Sequence, residues 1–436
     1  MSNLPFLSKL IERIVATQLL SHIKDGEYGE TLQSAYKAGH SVETALLRVQ
    51  NDMLVSLDKG QSVILILLDL STAFDTIDHA ILLHRLQHRL GISGTVLSWI
   101  CSYLEGRFQA VCVDGTRSEK VLLKYGVPQG SVLGPILFTL YTLPLGDIVK
   151  GFNLGYHIYA DDTQLYLAFD PLSDGSIPIT VMECCISKIQ AWMLQNRLKL
   201  NSGKTEMVVI SKRSIDSQIQ SIKIGEDTIL ASKCVRNLGA RMDCHISMDA
   251  QINSITKVAS FHLRNIALIK KYLSKKALEA LIHAYVTSHL DSNNSLLIGI
   301  PKNKLYKLQK IQNSAARLLM GVSKRDHVTP ILYELHWLPI SLRIRFKILL
   351  LVFKSLNGVG PKYLTDLLVP YKPGRSLCSS TQSLLMVQPS KFVTYGERAF
   401  QSVAPKLWNS LPLELRNTDR IYTFKRNLKT FLFLQI

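Results

Sequence analysis

The chain has 436 residues, of which 47% are hydrophobic and 19% are charged. This length suits two or three domains of roughly 100–200 residues each, and the composition is that of a globular chain rather than a disordered one. The longest aliphatic runs, Val63 to Leu68 and Ile348 to Phe353, fall far short of the ~20 residues that a membrane span requires. The N-terminus lacks a signal-peptide layout, and the odd number of cysteines, seven, predicts free thiols. We therefore expect a soluble intracellular protein with no membrane partner.

The net charge of +18 is unevenly distributed along the chain. Residues 1–244 hold 23 Lys and Arg against 24 Asp and Glu, a balance of −1, whereas residues 245–436 hold 28 against 9, a balance of +19. A field of this kind attracts polyanions. Nucleic acid and an anionic membrane surface are the two alternatives, and the charge favours nucleic acid.

The predicted elements, taken in chain order, change character near residues 60, 245 and 320. Residues 1–60 are mainly helical, with apolar side chains at helical spacing from Leu7 to Val15 and with Ser41 as the N-cap of a helix over 44–57. Residues 61–245 mix strands over 63–68, 108–113, 120–123, 154–160, 163–169, 207–211, 222–224 and 238–243 with helices over 81–90, 95–104, 133–143 and 177–195. Residues 246–320 are again helical, and residues 321–436 hold helical pieces broken by prolines, with an irregular linker over 369–380.

One predicted helix of the third segment carries a basic face. The residues on that face are Lys304, Lys307, Lys310 and Arg317. Such a stripe is usually the solvated side of an amphipathic helix. The positive charge of the whole region favours the alternative, a helix that follows a nucleic-acid backbone.

Asp69 is the first candidate for chemistry, because it directly follows the aliphatic strand over 63–68. An ionised carboxylate at the end of so apolar a strand is costly unless it is paired or bound to a cation. Taken alone, a strand-ending Asp in a loop or cap is the simpler interpretation.

The second candidate is the sequence Tyr159-Ala160-Asp161-Asp162, which lies where one predicted strand turns into the next. A plain hairpin turn is again the simpler interpretation in isolation. Adjacent carboxylates repel each other, however, and a divalent cation stabilises such a pair. Phosphoryl transfer with two metal ions, ~3.5–4 Å apart, requires a cluster of this kind.

A glycine-containing loop, Gly126-Val127-Pro128-Gln129-Gly130-Ser131, lies between these acids and opens a predicted helix. Such a turn allows the backbone to approach a phosphate or a base closely. It is not a Walker loop, because no Gly-Lys-Ser/Thr follows. A turn that merely starts a helix is the alternative.

The order of these motifs resembles that of a reverse transcriptase of the non-LTR (LINE) retrotransposons, closest to the jockey and chicken-repeat group. The matching strings are QSAYKAGHSVETALLRV, LLDLSTAFDTIDHAILL, GVPQGSVLGPILFTLYTLPLGDI, YADDTQLY, NRLKLNSGKTEMVVI and VRNLGARMD. The likeness also covers the later segments HAYVTSHLDSNNSLL, LHWLPISLRIRFKILLLVFKSLNG and YGERAFQSVAPKLWNSLP, and so spans nearly the whole chain.

The resemblance implies an RNA-directed DNA polymerase that uses two Mg²⁺ ions, with Mn²⁺ as an alternative. Asp69, Asp161 and Asp162 match the metal-binding acids. Lys204 matches the lysine that protonates the departing pyrophosphate, with an ordinary surface lysine as the alternative. The implied partners are an RNA template, a DNA primer and dNTPs. The oligomeric state is left open, and the family's life cycle implies a nuclear or cytoplasmic location.

Further residues match positions that contact the nucleotide and the primer. Phe74 matches the aromatic gate that excludes a ribose 2′-hydroxyl, although a core phenylalanine is the simpler reading of it alone. Gln129 and Gly130 match the motif that packs against the incoming nucleotide and template. Leu238 and Gly239 match the grip on the primer end.

The fold that the resemblance implies is an α+β right-hand polymerase with a ferredoxin-like antiparallel palm sheet. Residues 1–60 would be partial fingers, residues 61–245 the palm with the catalytic motifs, residues 246–320 a helical thumb, and residues 321–436 a basic C-terminal region of LINE type.

The chain also departs from the family pattern. The match begins just after the place where relatives carry an Arg-Pro-Ile-type motif, and the upstream endonuclease is absent, so an N-terminally truncated copy is expected. Ser292 and Asn293 stand where relatives usually have an aromatic residue and a Cys. Two alternatives to an active LINE-type polymerase remain. One is an inactive nucleic-acid-binding remnant, favoured by the missing fingers. The other is an RNA-templated polymerase of telomeres or introns, which the LINE-like tail segments disfavour.

Overall fold

The computed structural model describes residues 4–71, 73–212, 219–372 and 382–435. Its helices are α1 (Phe6–Asp25), α2 (Val42–Asp58), α3 (His79–Leu90), α4 (Gly94–Leu104), α5 (Leu133–Tyr141), α6 (Pro144–Lys150), α7 (Ser176–Gln195), α8 (Asp249–Ile269), α9 (Lys275–Ile282), α10 (Ser288–Asp291), α11 (Lys302–Met320), α12 (Val328–Glu334), α13 (Ile340–Leu356), α14 (Lys362–Thr365), α15 (Phe400–Asn409), α16 (Leu413–Arg416) and α17 (Ile421–Phe433). Its strands are β1 (Ser62–Leu68), β2 (Leu70–Ser71), β3 (Phe108–Gln109), β4 (Cys112–Val113), β5 (Thr116–Arg117), β6 (Val121–Leu122), β7 (Gly155–Tyr159), β8 (Asp162–Phe169), β9 (Lys199–Leu200), β10 (Glu206–Ile210), β11 (Ser221–Ile224), β12 (Asp227–Leu230), β13 (Cys234–Asn237) and β14 (Ala240–Asp243).

The central sheet has four antiparallel strands in the order β10-β1-β8-β7. Helices connect β1 to β7 and β8 to β10, which is the ferredoxin-like arrangement that the sequence predicted. The aliphatic run over 63–68 forms β1 and is covered on both faces. Val63 and Leu65 point into one hydrophobic core, whereas Ile64 and Ile66 point into the other.

The two cores form one layer on each face of the sheet. On one face, α3, α5 and α7 pack against the sheet. On the other face, α2 packs together with the helices of residues 246–320 and of residues 321–435. The C-terminal helices are therefore built into the molecule and are not a peripheral tail. The division into fingers, palm, thumb and C-terminal region stays a prediction.

Helix α7 is the one helix among the described residues with the length and hydropathy of a membrane span. It lies against the central sheet, where Met182, Cys185 and Ile189 are fully buried. A helix that packs against a sheet has the same composition, because one of its faces is buried.

Several predicted elements are confirmed and others shift. The serine N-cap of α2 is present, since the Ser41 hydroxyl accepts a hydrogen bond from the Thr44 amide. The strand predicted over 238–243 begins only at Ala240, because Leu238 and Gly239 have φ of 44° and 85° and form the turn of the β13–β14 hairpin. The helix predicted over 133–143 ends at Tyr141, and residues 373–380 of the predicted linker lie outside the described residues.

The basic face of α11 is partly used for packing between helices. Lys304 Nζ lies 2.7 Å from Asp249 Oδ2, and Lys307 Nζ donates to Asn253 Oδ1 over 2.9 Å. Both partners belong to α8, so these lysines fasten α11 to α8. The opposite face of α11 is buried, as its apolar spacing predicted.

Helix α1 contacts the rest of the molecule through a buried carboxylate. Glu12 is 1% exposed, and its Oε2 accepts hydrogen bonds from the amides of Val132 (2.6 Å) and Leu133 (3.1 Å) at the start of α5. A negative charge there complements the partial positive charge of a helix N-terminus. By contrast, the apolar residues Leu7, Leu10, Ile11 and Ile14, whose spacing predicted the helix, are exposed.

We predict that Glu12→Ala lowers the free energy of unfolding by ~2–3 kcal/mol, because it leaves two amides buried without acceptors. Glu12→Gln should lose about half as much, since the amide oxygen still accepts. Urea denaturation measures both, with Arg13→Ala as the control on the exposed side of the same helix. Equal losses for Glu12→Ala and Arg13→Ala would show that the carboxylate does not hold α5.

Candidate active site

Asp69 lies at the edge of the sheet beside the second acidic motif. Leu68 pairs with Thr163 in the antiparallel ladder between β1 and β8, so Asp69, the first residue after β1, lies opposite Asp162. The carbonyl of Asp69 accepts a hydrogen bond of 2.9 Å from the Asn201 amide. Its carboxylate oxygen Oδ2 is buried and has no hydrogen-bond partner. A buried carboxylate oxygen that accepts no hydrogen bond is unusual and is a mark of a binding site.

Asp161 and Asp162 occupy the turn between β7 and β8. Tyr159 pairs with Asp162, so Ala160 and Asp161 are the two turn residues, and Ala160 has a φ of 57°. A left-handed conformation at a residue with a side chain is strained and needs support from its surroundings. The turn places all three predicted metal-binding acids at one edge of the sheet.

The pKa values of Asp161 and Asp162 are both raised. Burial is the largest cause that raises the pKa of Asp162, to about 6, and the charges of Asp161 and Asp69 add to it. Burial also raises the pKa of Asp161, with a further increase from Asp69. Lys204 opposes the rise at both residues. The three carboxylates therefore interact electrostatically, as a shared cation site requires.

Lys204 is brought to the acids by a short second pairing. Directly after Asp69, β2 pairs with β9, and the chain then makes a turn of 3-10 helix over Ser202–Lys204. Lys204 Nζ lies 3.5 Å from Asp69 Oδ2, without a hydrogen bond, and most of its side chain is exposed. Because its side chain is exposed, the ammonium group can reach an anion that binds at the acids.

The carboxylates of Asp69, Asp161 and Asp162 are suitable ligands for a divalent cation, although they do not converge on one point. Carboxylate oxygens are the ligands that Mg²⁺ and Mn²⁺ prefer, and the unpartnered Oδ2 of Asp69 is available. Within the described ranges, no three His, Cys, Asp or Glu side chains are close enough to hold a metal ion as they stand. Carboxylates converge on a site when a cation compensates their mutual repulsion.

Phe74 lies between the first acidic motif and α5. Its ring stacks on Phe138 with 4.6 Å between centroids, and its carbonyl accepts a hydrogen bond from Val127 at the start of the glycine loop. The ring is only partly buried. Both the packing role and the predicted gate are therefore compatible with its position.

Gln129 and Gly130 are exposed in the glycine loop. Gln129 Nε2 donates to both carboxylate oxygens of Asp75 over 3.1 Å, and Gly130 has a φ of 91°. Gly126 approaches the other motif so closely that an added Cβ would lie 2.8 Å from the Asp75 carbonyl. The loop that contains Asp75 and the loop before α5 therefore pack closely against each other. The sequence did not predict this role of Asp75.

Leu238 and Gly239 form the tip of the β13–β14 hairpin, which is hydrogen-bonded to the central sheet. The buried Asn237 Nδ2 donates to Gln164 Oε1 over 2.8 Å, and Gln164 lies two residues after Asp162 on β8. This amide pair fixes the hairpin relative to the acids. The role of the hairpin tip on a primer stays a prediction.

Residues 1–242 match the reverse transcriptase (RNA-dependent DNA polymerase) family. This match covers more than half of the chain, and the chain belongs to that family. The family match and the antiparallel palm sheet confirm the predicted fold class, an α+β right-hand polymerase.

The relatives are enzymes of mobile elements. The RNA-directed DNA polymerase from mobile element jockey of Drosophila funebris is 27% identical over 259 residues, which are 58% of this chain and 28% of the relative. The probable enzyme of the transposon X-element of Drosophila melanogaster is 26% identical over 329 residues, which are 73% of this chain and 35% of the relative. The chain is similar to these enzymes of mobile elements, and it spans about a third of their length.

Solved telomerase structures show a looser likeness. The telomerase of Candida tropicalis in complex with a TWJ fragment of telomeric RNA gives a TM-score of 0.39 at 12% identity, and the match covers 76% of this chain and 56% of that one. The corresponding complex from Candida albicans gives 0.35 at 14% identity, covering 78% and 56%. The assignment to the family rests on the sequence matches.

We predict that Asp162→Asn stabilises the metal-free protein at pH 8 but not at pH 4. The pKa of Asp162 is raised to about 6, so the folded protein gains stability from its protonation below the ordinary pKa of 3.8 and loses that gain as the pH rises through 6. Above pH 6 the variant removes the repulsion, with an expected gain of ~1 kcal/mol after allowance for the partial exposure of the carboxylate.

Urea denaturation in EDTA at the two pH values measures the difference. Asp114→Asn, in the exposed turn between β4 and β5, is the matched control. A gain of the same size at both pH values, or no gain at pH 8, would contradict the electrostatic description.

Proposed function

We propose that this chain copies RNA into DNA, by adding deoxynucleotides from dNTPs to the 3′-hydroxyl of a primer. The observation that carries the proposal is the group of Asp69, Asp161 and Asp162 at one edge of the sheet, with the Lys204 ammonium 3.5 Å from Asp69. In a chain of the reverse transcriptase family, this arrangement supplies both charges that nucleotidyl transfer needs. The acids bind cations, and the lysine meets the phosphate anion.

Asp69, Asp161 and Asp162 would hold the divalent cations, which we propose to be two Mg²⁺ ions or Mn²⁺ in their place. When bound, the ions would activate the primer hydroxyl and stabilise the leaving oxygens. The raised pKa of Asp162 supports this assignment, because a nearby cation would restore the ionised form that binds it.

The side chains around the acids would select and orient the nucleotide. Lys204 would attract the triphosphate and donate a proton to the departing pyrophosphate, since its Nζ is exposed yet close to Asp69. The Phe74 ring would exclude a ribose 2′-hydroxyl by steric conflict. Gln129 and Gly130 would contact the nucleotide and template, in a loop that Asp75 holds in place.

The template and primer would lie along the positively charged part of the chain. Residues 245–436 carry the balance of +19, and Leu238 and Gly239 stand on a hairpin fixed to the catalytic sheet. Phosphate contacts from such a region bind RNA and DNA without regard to sequence. We place this activity inside the cell, in the nucleus or the cytoplasm, where dNTPs and RNA templates are available.

A second function, nucleic-acid binding without polymerisation, is supported by one observation. Residues 245–436 carry a charge balance of +19, which attracts RNA whether or not the acids act. Under this alternative the positive charge would bind RNA while the acids remain unused.

Primer extension on an RNA template with dNTPs and Mg²⁺ tests the two functions against each other. The full chain should extend the primer, and the Asp161→Ala, Asp162→Ala variant should be slower by at least about 10³-fold, because the charge of the metal ligands is lost. Asp114→Asn is the control and should extend at the rate of the unmodified chain.

Extension by the double variant at the unmodified rate would mean that the acids are not the catalytic site. RNA binding by both proteins with extension by neither would refute the polymerase and leave the binding function. Filter binding of the same RNA should be measured beside each assay.

A further inference from the structure

Tyr363 connects the C-terminal helices to the back of the catalytic turn. It lies on α14, within residues 321–436, and it is 2% exposed. Its ring lies edge-on to His157 of β7, with 4.9 Å between centroids. Its carbonyl accepts a hydrogen bond of 2.9 Å from the Arg48 guanidinium. The tyrosine is therefore anchored by both its backbone and its side chain.

A short extended segment separates Tyr363 from the turn and pairs with β7. The Ile158 amide donates to the Leu32 carbonyl over 2.9 Å, and the Ser34 amide donates to the Ile158 carbonyl over 3.0 Å. These two bonds form a parallel bridge between Gln33 and Ile158. Residues 32–34 thus extend the catalytic sheet by a further edge segment.

Gln33 holds the turn residue that precedes the acidic pair. Its Oε1 accepts hydrogen bonds from the amides of Ala160 (3.1 Å) and Ala35 (2.8 Å), and its Nε2 lies 3.5 Å from the Ala160 carbonyl. One buried side chain therefore binds both backbone groups of Ala160, whose φ is 57°. This contact stabilises the strained conformation from which Asp161 projects.

The neighbouring side chain, Ser34, continues the support to Tyr363. Ser34 Oγ lies 2.7 Å from His157 Nε2 and 2.8 Å from the Tyr363 hydroxyl. The Tyr363 hydroxyl in turn donates to Thr44 Oγ1 over 2.9 Å. Four side chains from β7, the edge segment, α2 and α14 therefore form one buried chain of hydrogen bonds.

The direction of this chain is fixed by the number of protons. Thr44 donates its hydroxyl proton to the Ser41 carbonyl, so Tyr363 must donate to Thr44 and Ser34 must donate to Tyr363. Ser34 Oγ must then accept a hydrogen bond from His157 Nε2. His157 therefore carries its ring proton on Nε2 and none on Nδ1. The Nδ1 atom is buried without a partner, and burial lowers the pKa of His157 to about 3. This series of hydrogen bonds requires a neutral His157 that donates from one ring nitrogen only.

We propose that Tyr363 is a positioning residue for the catalytic turn, and that the C-terminal helices contribute to the active site by supporting Asp161 and Asp162 through Ser34 and His157. The proposal deepens the proposed function and rests on it for its effect on catalysis. The support itself is a property of the fold. A protein without residues 321–436 would keep Asp69, Asp161 and Asp162. It would lose the contacts of Tyr363 that support the turn of Asp161 and Asp162.

Hydrogen exchange of the full chain, without ligands, tests the support independently of any activity. Tyr363→Phe removes one hydroxyl and should raise the exchange rate of the Ile158 and Ala160 amides about tenfold, while the amides of β10 change little. Ser34→Ala should give the same local effect, and the double variant should exchange no faster than either single one, because both substitutions break the same chain. Tyr333→Phe is the matched control, since its hydroxyl bonds to the Phe433 carbonyl within the same region.

Unchanged exchange at Ile158 and Ala160 in Tyr363→Phe, or an equal increase at β10, would overturn the proposal, because the hydroxyl would then be either idle or only a general contribution to stability. Additive effects in the double variant would also overturn it. If the unmodified chain extends a primer, Tyr363→Phe should lower kcat roughly tenfold with KM for dNTP changed less than about twofold. If the unmodified chain extends none, the proposed activity fails, and the exchange rates still decide whether the turn is supported.

Discussion

The antiparallel pairing of β1 with β8 is the constraint on which the rest of the site depends. β1 is buried on both faces, and its neighbours on each side fix its register. Because Leu68 pairs with Thr163, Asp69 must lie beside Asp162, and the β2–β9 pairing that follows must bring Lys204 to the same place. A slip of one residue would turn every side chain of β1 to the opposite core, so the register is strongly specified. The chemistry of the site is thus set by the packing of an apolar strand.

The acids lower the stability of the fold that holds them. Asp69 keeps a buried oxygen that accepts no hydrogen bond, the pKa of Asp162 is raised to about 6, and Ala160 has a left-handed backbone. Such features persist only where surrounding contacts over-determine them. Three contacts supply this support. Gln33 binds the backbone of Ala160, Asn237 binds Gln164 on β8, and Gln129 binds Asp75 between the two neighbouring loops.

Local sequence patterns predicted the parts of the fold that depend on nearby residues. The aliphatic run of β1, the hairpin that carries Asp161 and Asp162, and the serine cap of α2 all follow from spacing and turn chemistry. The sequence predicted a strand at Leu238 and Gly239, where the structure has a turn, because the apolar pattern continues through these residues. The contact between Ser34 and Tyr363 joins residues 329 positions apart, and no local pattern indicates such a partner. Likewise, helical spacing predicted α1 but not that its apolar residues Leu7 and Ile11 would be exposed.

The central claim is that Asp69, Asp161 and Asp162 together form a cation site, and direct titration with Mn²⁺ followed by electron paramagnetic resonance tests it without requiring catalysis. The account predicts saturable binding of Mn²⁺ by the full chain, competition by Mg²⁺, and binding at least about tenfold weaker in Asp69→Asn. Asp114→Asn should bind as the unmodified chain does. Equal Mn²⁺ affinity in the Asp69→Asn variant and the unmodified chain would contradict the account, because the buried oxygen of Asp69 would then have no part in holding the ion.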